Sequence, residues 1–541
     1  MTDDPTHTRQ QSTSDPLSRA QPAASDSPVV PTAVPLNPRT PLPRRPRTWL
    51  AAGTAVLMLV IAVLVWSPWR TVRVSDGSTV LNNDLRAVHE LIRAENERVE
   101  ESGAPIVSIA YMAPMNIMAG DPTSTVALRH QVEGTYLAQY WANHGSRGPT
   151  QFDTDVPLIR VLLADTGPLG EDWPATVDEL ADRVEGDDKL VAVAGLGSST
   201  TPIRDAITAL AGRGIPMFGS VITSSELSAK DLVRVSPTNS DEASAAINYL
   251  QQTEDWTTAS TAALYQTYLV QDQASTDSYA RDLGNAYRDE FAKVTDSTHR
   301  MLSEEGGYDG SVSGAGNALG AHAQRICGVS AQVVFFAGRS TDLRTFLSKL
   351  SSACAANTGR TVTVVTGDDA DHLVNGPALW NIDGIELIYT GLATPAAWGP
   401  DCGAGTPPGP TAISVDTMKR FCGEDERSYD ALFRDSLDDG HAIMGHDAML
   451  TSIEAARPGR GEQGNADLDP TPAALVNELF QINASTPVPG ASGWIYFDKD
   501  TATEQWIPKN KAVPVIKIDR EARPAFDRLS SRDGTPPTKP S

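Results

Sequence analysis

The chain has 541 residues, a net charge of −24 and a pI near 4.7, too long for one core and suited to two or three domains. The acidic balance excludes a nucleic-acid partner, since phosphate binding needs basic patches. Its 4 cysteines lie in the second half without CxxC or Cys/His spacing, which argues against a zinc site.

Residues 1–47 are rich in Pro, Ser, Thr and Asp and poor in large apolar groups, a composition that predicts a disordered cytoplasmic tail. Residues 48–66 then run 19 positions without a charge, enough to span a bilayer. Trp49, Trp66 and Trp69 sit at the ends of this stretch as interfacial anchors, so 48–69 is the expected single transmembrane helix. Arg39, Arg44, Arg45 and Arg47 precede it, while only Arg70 and Arg73 follow closely. That asymmetry leaves the N-terminus in the cytoplasm and the C-terminal domain extracellular at the cell membrane. No small-x-small site or cysteine ends the apolar run, so an uncleaved anchor is expected rather than a signal peptide. In residues 75–103, Leu81, Leu85, Val88, Leu91 and Ile92 recur at helical spacing. They predict a juxtamembrane helix, either packed on the outer domain or serving as its stalk.

From Ala104 on, short apolar runs alternate with amphipathic stretches. Strands are predicted at 106–110, 156–164, 190–194, 215–218 and 232–235, with helices at 126–143, 175–184, 203–213 and 240–251 between or after them. After a polar bridge at 253–260 the alternation restarts, with strands at 262–265, 331–336 and 361–365 and helices at 275–293 and 341–352. Such alternation predicts an α/β fold of two doubly wound parallel-sheet lobes, with ligands bound outside the carboxyl ends of the strands. The most informative unit is residues 189–220. An apolar strand ends at Gly195, a hydroxyl-rich loop (Ser198, Ser199, Thr200, Thr201) follows, and Pro202 opens a helix. A helix start fed by hydroxyls is a seat for a small anion such as a carboxylate, although the same residues also cap a helix.

The segments GLGSST (195–200), GIPMFGSVITSSEL (214–227), VRVSPTN (233–239), VVFFAG (333–338) and GWIYFD (493–498) together resemble the type 1 periplasmic-binding-protein fold. The branch is that of the leucine/isoleucine/valine-binding proteins of ABC importers, and the resemblance covers roughly residues 104–518. It implies lobe 1 at 104–254 with 385–480 and lobe 2 at 258–384 with 490–518, joined by crossovers near 253–260, 380–385 and 483–492. Residues 519–541 would form a disordered tail. By resemblance, Ser198, Ser199 and Thr200 would hold an α-carboxylate. The Val221–Ser224 loop (with Ile222, Thr223 and Ser224) would supply a carbonyl and the Thr223 hydroxyl to an α-ammonium. The family often has alanine where this chain has Ile222, which would narrow the pocket. Tyr279 falls near an aromatic that covers the ligand, or is a packed helix residue. Asp368 or Asp369 matches an acidic position that pairs an ammonium, or caps a helix. The implied function is a membrane-anchored solute-binding protein, not an enzyme, that gives an amino acid or related metabolite to an ABC permease. The alternatives are a ligand-sensing domain with a membrane signalling partner, and a derivative of the fold without the ligand. A serine turn filled by the chain's own side chains would count against ligand recognition.

Outside the cell cysteines oxidise, and the neighbouring pairs Cys327–Cys354 and Cys402–Cys422 are the expected bridges among the three possible pairings. His441 and His446 are five apart beside Asp447, a spacing that does not suit a helical ligand pair, and no third ligand is evident, so no metal is expected. Neither a Gly-x-Ser-x-Gly elbow nor a nucleotide loop is present. The GAGNALG run at 314–320 follows no strand and reads as a loop. No cofactor is expected.

Overall fold

Seven of the eight apolar runs predicted as strands from 104 on become strands of two open, twisted sheets, and the eighth, expected at 262–265, is displaced to Tyr265–Asp272, in the computed structural model, which describes residues 72–145, 157–261, 263–302, 306–329, 331–354, 361–381, 384–399, 413–423, 425–457 and 470–540. Six strands open the chain: β1 (Val74–Ser75), β2 (Ile106–Ala113), β3 (Leu158–Asp165), β4 (Leu190–Gly195), β5 (Met217–Gly219) and β6 (Leu232–Arg234). Six more follow: β7 (Tyr265–Asp272), β8 (His299–Met301), β9 (Gly306–Tyr308), β10 (Val333–Ala337), β11 (Val362–Thr366) and β12 (Ile385–Thr390). The last are β13 (Val488–Gly490), β14 (Gly493–Ile495), β15 (Phe497–Lys499), β16 (Trp506–Pro508), β17 (Val513–Ile518) and β18 (Pro524–Ser530).

Lobe 1 has the strand order β1-β3-β2-β4-β5-β6-β16-β15, and lobe 2 the order β18-β17-β12-β11-β10-β7-β8 with β9 beside β7. The inner strands β2 to β6 and β7 to β12 pair in parallel, because helical connections return each strand to the same sheet edge. Such a sheet is covered on both faces, so β4 reads as a continuous apolar run rather than an alternating one. Neighbouring residues nevertheless feed opposite cores. Ile109 and Tyr111 join Leu137 and Met444 on one face, while Ala110 and Met112 join Ile203 and Ile207 on the other.

Between the stalk and packed alternatives, the helix Arg86–Glu101 takes the second. It buries Val88 and Ile92 against lobe 1, and Asn96 Nδ2 donates to the carbonyls of Asp76 and Val161, both at 2.8 Å.

The lobe boundaries differ from those expected. Helix Asn239–Leu250 lays Ala243, Ala246, Ile247 and Leu250 on the lobe 2 core, so the first crossover is at residues 235–238, not 253–260. β12 lies in the lobe 2 sheet, which moves the second crossover to 391–394. β15 and β16 belong to lobe 1, which moves the third to 509–512. Periodicity shows that a helix or strand has an apolar face but not which sheet receives it. Nor are residues 519–540 a disordered tail. β18 pairs antiparallel with β17, and its apolar side chains Phe526 and Leu529 face one way while charged residues cover the other.

Two long helices of lobe 1, Thr125–His144 and His441–Ala456, touch backbone to backbone. A Cβ on Gly134 would sit 1.9 Å from the Ala442 carbonyl oxygen, and one on Gly445 2.2 Å from that of Gln131. This approach fixes where the start of the second helix points.

Cys327 and Cys354 form a disulfide with Cα atoms 5.5 Å apart. Cys422 is not a free thiol, while its expected partner Cys402 lies outside the described residues. So do the tail at 1–47 and the expected transmembrane span at 48–69. Among the described residues no helix is long and apolar enough to cross a membrane.

Candidate ligand cleft between the lobes

Strand ends build the cleft. Its lobe 1 wall is the loops after β4 and β5, and its lobe 2 wall the turns after β7, β10 and β11, with His441 closing one end from the start of its helix. Gly195, Leu196 and Gly197 all have positive φ (91°, 78° and 75°). This strained three-residue turn carries the chain from the end of β4 to the face opposite lobe 2, and Leu196 holds it there by burying its side chain in the lobe 1 core.

Arg339, one residue past the Gly338 that follows β10, occupies the centre. Its Nε and Nη2 donate to Asp277 at 2.7 and 3.0 Å, its Nη1 donates to Asp369 at 2.8 Å, and Nη2 lies 3.5 Å from the Ser199 carbonyl of lobe 1. Its guanidinium also lies 4.6 Å from the centroid of the Tyr279 ring. Burial alone would lower the pKa of Arg339, but the two carboxylates raise it. Burial works against Asp369 as well; Arg339 and the Ser340 N–H hold its carboxyl below the usual range. This is a bidentate, charge-assisted clamp.

The acidic neighbours behave differently. Burial, with Asp371 and Asp369 nearby, pushes Asp368 up to about 8. Glu242, buried beside Asp368, is raised well above its ordinary value and accepts from the Asp368 N–H at 3.0 Å. Burial alone would lower His441, but Asp371, with Nε2 to Oδ2 at 3.2 Å, brings it up to about 9. The His372 ring stacks on His441 at 5.3 Å and 14°.

The lobes also bond each other directly. The Thr201 N–H donates to the Thr276 carbonyl at 3.3 Å, Ser224 Oγ to the Ser278 carbonyl at 3.1 Å, and the Ser225 N–H to Asp282 at 2.9 Å. Arg281 pairs with Glu226.

The expected site residues divide into three groups. Ser198, Ser199, Thr223, Tyr279, Asp368 and Asp369 line the cleft. Their polar atoms are largely engaged within the chain: Ser198 Oγ lies 2.7 Å from Thr123 Oγ1, Ser199 Oγ accepts from the Ser224 N–H, and the Thr223 carbonyl accepts from the Asn239 N–H. Thr200 and Ser224 stand beside the cleft. Thr200 bridges to Asp277 and lines an adjoining groove of about 380 Å3 with Thr276, Asp277 and Arg339. Ile222 is misplaced. Its side chain is fully buried in the lobe 1 core and its carbonyl accepts from Arg234, so it narrows no pocket. Nor do His441 and His446 act together, because His446 Nδ1 turns to Asp447 at 2.8 Å. Sequence reasoning missed Arg339, Asp371 and His372. Arg339 carried a signal, as the first charged residue beyond a buried strand that was already matched.

The cavity between these side chains measures about 20 Å3, room for one water-sized guest. The serine turn is therefore faced by the chain's own guanidinium, the condition that counts against ligand recognition in this closed arrangement.

No family model and no curated sequence matches the chain. Solved structures share its fold, the type 1 periplasmic-binding fold. A leucine-binding protein from Thermotoga maritima MSB8 is 15% identical over 78% of this chain and 98% of its own, with a TM-score of 0.52. An ABC-transporter substrate-binding protein from Desulfitobacterium hafniense, solved with Leu, is 17% identical over 78% and 100%, TM-score 0.50. A solute-binding protein of an ABC transporter from Rhodopseudomonas palustris BisB5, solved with 3,4-dihydroxybenzoic acid, is 14% identical over 80% and 99%, TM-score 0.51.

Proposed function

We propose that the chain is a solute-binding receptor, tethered outside the cell by residues 48–69, that takes a small amino-acid-like ligand between its lobes and presents it to an ABC-type permease. One observation carries this reading: a cation already sits in the cleft. The Arg339 guanidinium lies among Asp277, Asp369, the Ser199 carbonyl and the Tyr279 ring, a set of groups that suits a ligand ammonium equally well. The adjoining groove of about 380 Å3 shares Arg339 and Asp277 and is of ligand size. A ligand entering there meets Arg339 first. Binding requires the lobes to part about their three crossovers and Arg339 to turn aside. The ammonium then takes its place and the carboxylate meets the serine loop at the start of helix Thr201–Gly212.

The second reading, a derivative of the fold that works without a ligand, is favoured by the same small closed cavity. Calorimetric titration of the full chain against the amino acids and related metabolites separates the two. The receptor reading expects at least one saturable ligand, tighter in Arg339→Ala and lost in Asp369→Asn. No binding by either the unaltered chain or Arg339→Ala contradicts it.

A further inference from the structure

We infer that the cleft holds a transition-metal site, in which Asp371 and His372 of lobe 2 and His441 of lobe 1 bind one zinc-class divalent cation and fasten the lobes together. This goes beyond the amino-acid reading and stands if that reading fails.

Geometry comes first. The candidate ligand atoms of the three residues all lie within 4.8 Å of one another. His441 Nε2 is 3.2 Å from Asp371 Oδ2, and His372 Nδ1 is 3.3 Å from Asp371 Oδ1. Bonds of 2.0–2.1 Å to a tetrahedral zinc give ligand-to-ligand edges of about 3.3–3.4 Å, so the donors need little movement.

Unmet bonding points the same way. His441 Nε2 and Asp371 Oδ1 have only the ionic contacts just given and no well-formed hydrogen bond, and Asp368 Oδ1 has no hydrogen bond, on residues only 5%, 7% and 9% exposed. Buried polar atoms are normally hydrogen-bonded, and here three that are not belong to residues lining one cavity. The other nitrogen of His441 is 3.1 Å from Gln131 Nε2, a donor, so a metal on His441 Nε2 requires the Gln131 amide to turn its oxygen toward that ring nitrogen. The cavity that Asp371, His372 and His441 help to line, about 20 Å3, is of a size for a single ion.

The other histidine–carboxylate group among the described residues makes an instructive contrast. His130, Glu133 and Asp435 also cluster, but Arg129 already pairs with both carboxylates and Tyr429 Oη donates to Glu133. A resident guanidinium leaves no charge for a metal there. In the cleft Arg339 lines the same cavity but pairs with Asp277 and Asp369, not with Asp371, so Asp371 keeps its charge, and two imidazoles with one carboxylate suit zinc, with water as fourth ligand. Because the ligands come from both lobes, a cation that binds all three favours the closed arrangement.

The test uses the full chain stripped of metal by a chelator, then titrated with ZnCl2 against a chromophoric competitor and with CoCl2 by visible absorption. The expected result is one equivalent of Zn2+ and the d–d bands of four-coordinate Co2+. His441→Gln and His372→Gln should each weaken Zn2+ by more than about 100-fold, beyond the range for loss of an outer partner. His322→Gln, remote from the cleft, should change nothing. His372 lies on a short turn, so His372→Gln decides the matter should His441→Gln fold poorly. The proposal is overturned by the absence of stoichiometric Zn2+ binding, or by affinity that survives in His372→Gln.

Discussion

Two buried clusters of the same residue types sit in this molecule, and their bonding differs. Near the third crossover, Asp447 accepts from the N–H groups of Ala491 and Ser492 at 2.9 and 2.8 Å, from Ser492 Oγ at 2.5 Å and from His446 at 2.8 Å. Lys511 Nζ then donates to Ser492 Oγ at 2.6 Å. In the cleft, Asp368, Asp371 and His441 keep buried polar atoms without hydrogen bonds. The first cluster has paired both oxygens of its carboxylate, leaves only His446 Nε2 without a hydrogen bond, and ties the third crossover to the core. The second is incompletely bonded, the condition under which a guest has something to gain by entering.

Breaking the Asp447 cluster should have the largest effect. Asp447→Ala strands Lys511 and two N–H groups, and should cost about 3–5 kcal/mol in denaturant unfolding; a loss below about 1 kcal/mol would show that the cluster is not structural. Next is Gly134→Ala, whose Cβ meets the Ala442 carbonyl. We expect about 1–3 kcal/mol together with weakened zinc binding, because the shifted helix carries His441.

The two clusters should also answer pH with opposite signs. His441 rises from 6.5 to about 9 in the fold, so its contribution is complete below pH 6.5 and is lost as pH climbs through 9. Asp368 rises from 3.8 to about 8, so the fold binds its proton more tightly than the unfolded chain, and stability falls as pH climbs from 4 to 8. Burial lowers Lys511 from 10.5 to about 8, so its release of a proton in the fold makes stability recover between those values. Comparing His441→Gln with the unaltered chain from pH 6 to 9.5 cancels the lysine. The difference in unfolding free energy should shrink by up to about 3 kcal/mol, and a flat difference would break the contrast. Smallest of all, Asp369→Asn leaves Arg339 held by Asp277, and should lower stability by about 1 kcal/mol.

Much of the fold was legible in the sequence. The apolar runs at 190–194 and 331–336 and the helices between them are local patterns, and the βα loops at Ser198 and Asp368 follow from where such sheets place their strand ends. Assignment of elements to lobes was not legible: helix Asn239–Leu250 shows an apolar stripe without naming the sheet that receives it. Ile222 and Thr223 are adjacent, yet one enters the core and the other the cleft, because a loop has no fixed side-chain period. His372 and His441 come from different lobes, and only closure of the lobes brings them together.

The most direct test of the central claim, that the cleft is a receptor site now filled by Arg339, is the distance between the lobes. Spin labels at the exposed positions Thr208 of lobe 1 and Lys349 of lobe 2 would report it by pulsed dipolar spectroscopy. The account predicts a second, longer separation in the free full chain, which a binding amino acid collapses to one. A single distance that no ligand changes, even in Arg339→Ala, would contradict it.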